Sequence, residues 1–236
     1  MYTKLLGIFF ALLAFSAPLA AAESTTASNT SAVTAQKRFV MITFDGLSGS
    51  IPGFVVSQNT AADGTASMIL APVPYKMPQE ATQHAVKVIS ALDGRRLAAT
   101  DNPFIVLQSS TDVAYVALMV PALLVDAGEL EVANDFDPEA ALLVITADKA
   151  VTASAKDLQF LLEYDSEASF AGAVIMQSGR FFGVVGYVNN SGVMTLDVAT
   201  YPAIRASVLK YYEQLLQQQE EEERMEREFR SRQIRI

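Results

Sequence analysis

The sequence predicts an α+β protein: antiparallel sheets packed with two or three helices, ending in a long, projecting, charged C-terminal helix. Three observations carry that expectation. Short apolar runs rich in Val, Ile and Phe recur along the chain, punctuated by Asp-Gly, Ser-Gly and Asn-Ser-Gly turn signals. Helical periodicity is confined to a few stretches, at 79–92, 154–164 and after Pro202. The last stretch, YPAIRASVLKYYEQLLQQQEEEERMEREFRSRQIRI, has no Gly, and its single Pro falls in the first turn.

The elements follow in order. Residues 1–22, MYTKLLGIFFALLAFSAPLAAA, have the form of a signal peptide. Lys4 precedes an apolar run, Pro18 breaks it, and Ala20-Ala21-Ala22 suits cleavage before Glu23. Residues 23–36 are Ser, Thr and Ala with little apolar bulk and read as a flexible leader. A core then begins, its first part over 37–150. Phe39 to Phe44, Gly53 to Ser57 and Ala66 to Ala71 read as strands, with Asp63-Gly64 as a turn. Gln79 to Leu92 reads as a helix whose stripe is Ala81, Ala85, Val88 and Leu92. Phe104 to Gln108 and Val113 to Val120 read as strands; ALLVITA after Asp137-Pro138-Glu139 reads as a strand or as a helix capped by Asp137, the β-branched run from Leu143 to Thr146 favouring the strand. The second part of the core spans 151–217. It opens with a helix from Ser154 to Tyr164, where Ser154 and Asp157 have the spacing of a capping box. A three-stranded meander follows, over Gly172 to Gln177, Phe181 to Val188 and Val193 to Val198, before the last helix begins. Residues 218–236 form its charged tail.

Composition bounds the chemistry. The chain has no Cys, which closes the route to a lipid-anchored lipoprotein and suits export to a bacterial periplasm or envelope as a soluble protein. Its formal charge is −9, so it has no attraction for nucleic-acid phosphates. No other apolar run is long enough to span a membrane once the leader is removed.

The candidate catalytic residues are Asp45, Ser48 and His84. VMITFDG, ending at Asp45-Gly46, resembles the strand-ending Asp of alkaline-phosphatase-type phosphodiesterases and the TFDDG stretch of polysaccharide deacetylases. The resemblance covers about eight residues and implies a metal site with several His ligands; the chain has one His, and Gly46 stands where the deacetylases have a second Asp. Gly46-Leu47-Ser48-Gly49-Ser50 is one residue from the G-x-S-x-G nucleophile elbow, and His84 is the sole histidine that could act as base. It lies 36 positions after Ser48, earlier than the elbow enzymes place their His. Ser207 and Lys210 have S-x-x-K spacing, but neither S-D-N nor K-T-G follows them. Asp135, Asp137 and Glu139 crowd one loop as oxygen ligands for a cation would, yet Ala140 and Thr146 stand where an EF-hand needs Gly and Glu. No cofactor fingerprint is present.

The last helix carries an alternating four-and-three ladder of Ile204, Val208, Tyr211, Leu215, Gln218, Glu222, Met225, Phe229, Arg232 and Ile236, the seam of a coiled coil with polar rungs. Leu215, Met225, Phe229 and Ile236 are the candidate contacts to a protein partner or a second copy. The sequence thus favours an exported, non-catalytic interaction or assembly protein, with no cofactor. The alternatives are a hydrolase with an unorthodox site around Asp45 and Ser48, or a small-ligand-binding module on the glycine-containing middle strand of the meander.

Overall fold

The computed structural model of the chain describes residues 32–45, 49–61, 64–73, 85–100, 104–110, 113–126, 128–165, 169–190 and 193–233. Twelve strands are described: β1 (Phe39–Phe44), β2 (Ile51–Ala61), β3 (Gly64–Pro72), β4 (Val86–Ser90), β5 (Arg96–Thr100), β6 (Phe104–Ser110), β7 (Val113–Val120), β8 (Leu142–Ile145), β9 (Ala150–Ala153), β10 (Val174–Gln177), β11 (Arg180–Asn190) and β12 (Val193–Thr200). Two helices accompany them, α1 (Ala155–Glu163) and α2 (Tyr201–Gln233). The molecule is mixed α+β with antiparallel sheets, few helices and a C-terminal helix.

The strands hydrogen-bond in the order β5-β4-β1-β2-β3-β7-β11-β10-β8-β9, with β6 also on β7 and β12 also on β11. Within this continuous path lie two antiparallel sheets, β1 to β7 and β8 to β12. They meet where β7 and β11 share two register pairs, Ala114 with Tyr187 and Val113 with Val188.

The packing follows from strand alternation. In the first sheet, Val40, Ile42, Phe44, Val55, Ile69, Ala71, Val86, Val88, Val116 and Leu118 share one cluster. Every strand contributing to it belongs to that sheet, and each of these side chains is buried. Val73 and Leu124, from the segments after β3 and β7, complete its described buried members. The opposite faces of β2, β3 and β7 present Phe54, Met68, Leu70, Tyr115 and Met119 to a central cluster. Val174, Met176, Phe181 and Val184 of the second sheet meet them there, as do Tyr201, Ile204 and Val208 of α2. Phe54 stacks on Phe181 with ring centroids 5.6 Å apart. A third cluster lies on the far face of the second sheet, where Leu142, Val144, Ile175, Phe182, Val185 and Leu196 are covered by Leu158 and Leu162 of α1.

Several expected elements form as read. The Ser154 side chain accepts from the Asp157 N–H while the Asp157 carboxylate accepts from the Ser154 N–H, the reciprocal cap that starts α1. Ser178 and Gly179 take positive φ angles of 51° and 77°, the left-handed pair that closes a two-residue hairpin between β10 and β11.

Other elements differ. Residues 32–36 form a helical turn, and Ala35 is 1% exposed, so the leader does not stay free up to Gln36. The expected helix at 79–92 is replaced, where described, by β4. Val86 and Val88 are buried on either side of exposed Lys87, a period of two that overrides the 3.6-residue stripe. Leu92, a stripe member, is 70% exposed. Strands β5 and β9 were not anticipated; they are five and four residues long, too short for a pattern to register.

Candidate functional site

The end of β1 carries one of the candidate catalytic residues, Asp45. Strands β1 and β4 pair antiparallel with Phe44 opposite Val86. The ladder continues by one bond, the Asp45 N–H donating to the Ala85 carbonyl at 2.8 Å. Asp45 is therefore exposed at the strand end, directly across from Ala85. On the other side β1 pairs with β2, with Ile42 opposite Ile51, so the connection from Asp45 to Ser50 turns over at the same end. Gly49 has a φ of +94°, and a Cβ placed there would meet nothing within 4 Å. Ser48 and His84 lie outside the described residues. Two antiparallel pairings with β1 bring the described residues Asp45, Ile51 and Ala85 towards one end of that strand.

The acidic loop is built differently. Asp137 donates its N–H to Gln177 Oε1 at 3.0 Å, and Gln177 Nε2 donates to the Asp137 carbonyl at 2.7 Å. The Asp137 carboxylate accepts from the Glu139 N–H at 3.0 Å, an Asx turn. Asp135, Asp137 and Glu139 are all exposed. Among the described residues, no three His, Cys, Asp or Glu side chains are gathered to hold a metal ion. The loop's geometry is that of a turn pinned to β10 by buried Gln177.

The glycines of the meander leave no ligand cavity at Gly183. A Cβ there would lie 2.4 Å from the Ala199 carbonyl oxygen and 3.1 Å from the Thr200 Cα, so the backbone of β12 already fills the space.

Sequence reasoning missed a polar clamp on the segment that links the two sheets. Gln58 Nε2 donates to the Val125 carbonyl at 2.8 Å, and Gln58 Oε1 accepts from the N–H groups of Leu124 and Val125 at 2.8 and 3.0 Å. Ser67 Oγ donates to the Ala122 carbonyl at 2.6 Å and lies 3.0 Å from Gln58 Oε1. Arg38, only 2% exposed, donates to the Val55 and Gly128 carbonyls. Burial pushes its guanidinium down from the usual arginine range. These partners are 55 to 90 residues apart in sequence for the linker contacts, beyond the reach of any local pattern. The signal that could have found them is polar side chains within apolar strands. Tyr115 is buried beside α2; burial pushes its hydroxyl up to about 12, and the Ser207 side chain offsets part of that rise.

On α2, Met225 and Phe229 are 61% and 62% exposed, while Tyr201, Ile204 and Val208 are buried in the central cluster. Leu215 lies on the helix, and Ile236 lies outside the described residues. Among the described residues no helix is long and apolar enough to cross a membrane.

No family model and no curated protein matches the chain. Among solved structures it is similar to the crystal structure of Rv3671c from M. tuberculosis H37Rv, a serine-to-alanine mutant in its inactive form. That likeness has 12% identity and a TM-score of 0.44, and covers 82% of this chain and 95% of that one. It is also similar to the Rv3671c protease in its inactive form, at 12% identity and a TM-score of 0.41, covering 82% of this chain and 98% of that one. The expectation of a non-catalytic interaction or assembly protein is not carried forward, and its hydrolase alternative is taken up below.

Proposed function

We propose that the chain is an exported hydrolase of acyl substrates, peptides or esters, with its site at the Asp45 end of β1. The observation that carries this reading is the bond from the Asp45 N–H to the Ala85 carbonyl. It supports the reading by holding Asp45 opposite Ala85, the sequence neighbour of the single histidine. In this reading Ser48 Oγ attacks the acyl carbon and His84 takes its proton. His84 then passes that proton to the leaving group as the acyl bond breaks. Water, deprotonated by His84, next cleaves the acyl-serine, and the proton returns to Ser48. Asp45 orients the imidazole and stabilises its charged form.

Two further elements belong to the proposal. Residues 1–22 direct export to a bacterial periplasm or envelope, supported by their charged, apolar and small-residue sequence in that order. The charged second half of α2 projects from the body, supported by the exposure of Glu220 to Phe229.

A fluorophosphonate probe tests the catalytic reading. The purified chain is expected to take up the label at Ser48, located by peptide mass spectrometry, and to hydrolyse an activated acyl ester. Both properties should vanish in Ser48→Ala and fall at least about a hundredfold in His84→Ala, with circular dichroism unchanged. A folded chain that neither labels nor turns over, or a Ser48→Ala variant with full activity, overturns the proposal.

A further inference from the structure

We propose that the exposed stretch of α2 pairs with the same stretch of a second copy of this chain, the two helices running antiparallel. The argument starts from the ladder. Glu222, Met225, Phe229 and Arg232 occupy successive seam positions of one helix face, at spacings of three, four and three. That pattern is symmetric about residue 227. When two copies run antiparallel about that point, Met225 of each faces Phe229 of the other, and Glu222 of each faces Arg232 of the other. The apolar pair lies at the centre and opposite charges flank it on both sides. A parallel pair instead sets Glu222 against Glu222 and Arg232 against Arg232, two like-charge layers. Charge therefore selects both the occupant and its direction.

A second observation concerns Glu222 itself. Along Glu220 to Glu228, the other glutamates each have an arginine three or four positions away on the same helix, the spacing at which side chains meet. Glu223 uses this spacing, its carboxylate 3.8 Å from the Arg227 guanidinium. Glu222 has Gln218, Gln219, Met225 and Glu226 at those spacings. The seam glutamate thus has no cation within helical reach on its own chain, and the antiparallel register supplies one. Met225 and Phe229, 61% and 62% exposed, gain cover from the same pairing. With two large apolar side chains per helix at its centre, the association is a weak one that builds with concentration.

Sedimentation equilibrium on the purified chain, from about 1 to 200 μM, tests the inference. A monomer–dimer equilibrium is expected, weakened at least about tenfold by Met225→Ser with Phe229→Ser. Glu222→Arg alone and Arg232→Glu alone should each weaken it, and the double reversal in one chain should restore it. An equimolar mixture of the two single variants should form a heterodimer more readily than either associates with itself. A chain that remains monomeric throughout overturns the inference, and so does a dimer insensitive to these changes or one that the double reversal fails to rescue. These readouts are independent of acyl-ester turnover, so the catalytic and the pairing proposals stand or fall separately.

Discussion

The two outer cores of the molecule are built by different means. The core of the first sheet comes from β1, β2, β3, β4 and β7, with Val73 and Leu124 added from the segments after β3 and β7 and no helix among its described members. The core of the second sheet is closed by a helix, with Leu158 and Leu162 of α1 lying over β8 and β10 to β12. A core without a helix needs both faces of its central strands buried. Accordingly β7 is buried without a break from Tyr115 to Val120, its side chains alternating between the outer and the central cluster. A helix-covered core delegates cover to a local element with its own start signal, the Ser154 cap. The first design is non-local and the second is partly local, and this difference governs both what a mutation should do and what the sequence discloses.

The largest effect is expected where the designs meet. Phe54→Ala removes a ring that stacks on Phe181 and lies edge-on to Phe39, in the cluster both sheets share. A loss of about 4 kcal/mol is expected, with denaturant unfolding reporting both sheets at once. If hydrogen exchange showed protection lost in only one sheet, the central cluster would not couple them. Next comes Gly183→Ala, whose new methyl meets the backbone of β12 and cannot be relieved by a rotamer change. About 3 kcal/mol is expected, and loss of exchange protection confined to β11 and β12 and their neighbours would place the effect in the second sheet.

Alkaline pH sharpens the comparison further, because Tyr115 lies on the strand that joins the sheets. Its hydroxyl titrates near 12 in the folded chain and near 10 when unfolded. Below pH 10 both states hold the proton and the group contributes no slope. Between about 10 and 12 only the folded state holds it, so stability falls as pH rises, by roughly 2–3 kcal/mol in all. Tyr115→Phe should flatten that part of the stability profile, while a profile as steep as the parent's would assign the alkaline loss elsewhere. The smallest effect is expected for Leu92→Ser. A helix at 79–92 would make Leu92 a core residue, but it is 70% exposed beside β4, so the melting midpoint should move by less than about 0.5 kcal/mol in equivalent stability. A larger fall would restore the helical reading of that segment.

What the sequence disclosed follows the same division. The second sheet was legible apart from β9. The cap at Ser154, the Ser178-Gly179 turn and the strand at Leu142–Ile145 are each written within a few consecutive residues, and each formed where expected. In the first sheet the long strands were legible from β-branched runs, but 79–92 was misread. There Val-Lys-Val alternation competed with an alanine-rich stripe, and burial against β1, a non-local partner, decided the outcome. The linker after β7 was opaque for the same reason, since Gln58, Ser67 and Arg38 hold it from far upstream. At the candidate site, Asp45, Ser48 and His84 could be named from residue type alone. That β4 is a strand antiparallel to β1, with Ala85 opposite Asp45, was hidden by the helical periodicity of the segment.

The short junction between β7 and β11 also sets an order of events for the chain as it is made. All strands of the first outer core are complete by Val120, before any residue of β8 has been synthesised. That core can therefore close early, whereas Phe54, Met68, Tyr115 and Met119 must await β10, β11 and α2 for their cover. During this interval the nascent chain carries an apolar face on a sheet in which β7 already has β3 and β6 as neighbours, while its Val113 and Ala114 have yet to meet Val188 and Tyr187. An exposed edge beside an apolar face invites pairing with another chain. The junction thus makes the second half of the molecule a shield for the first, and the moment of greatest hazard falls between synthesis of β7 and arrival of β11.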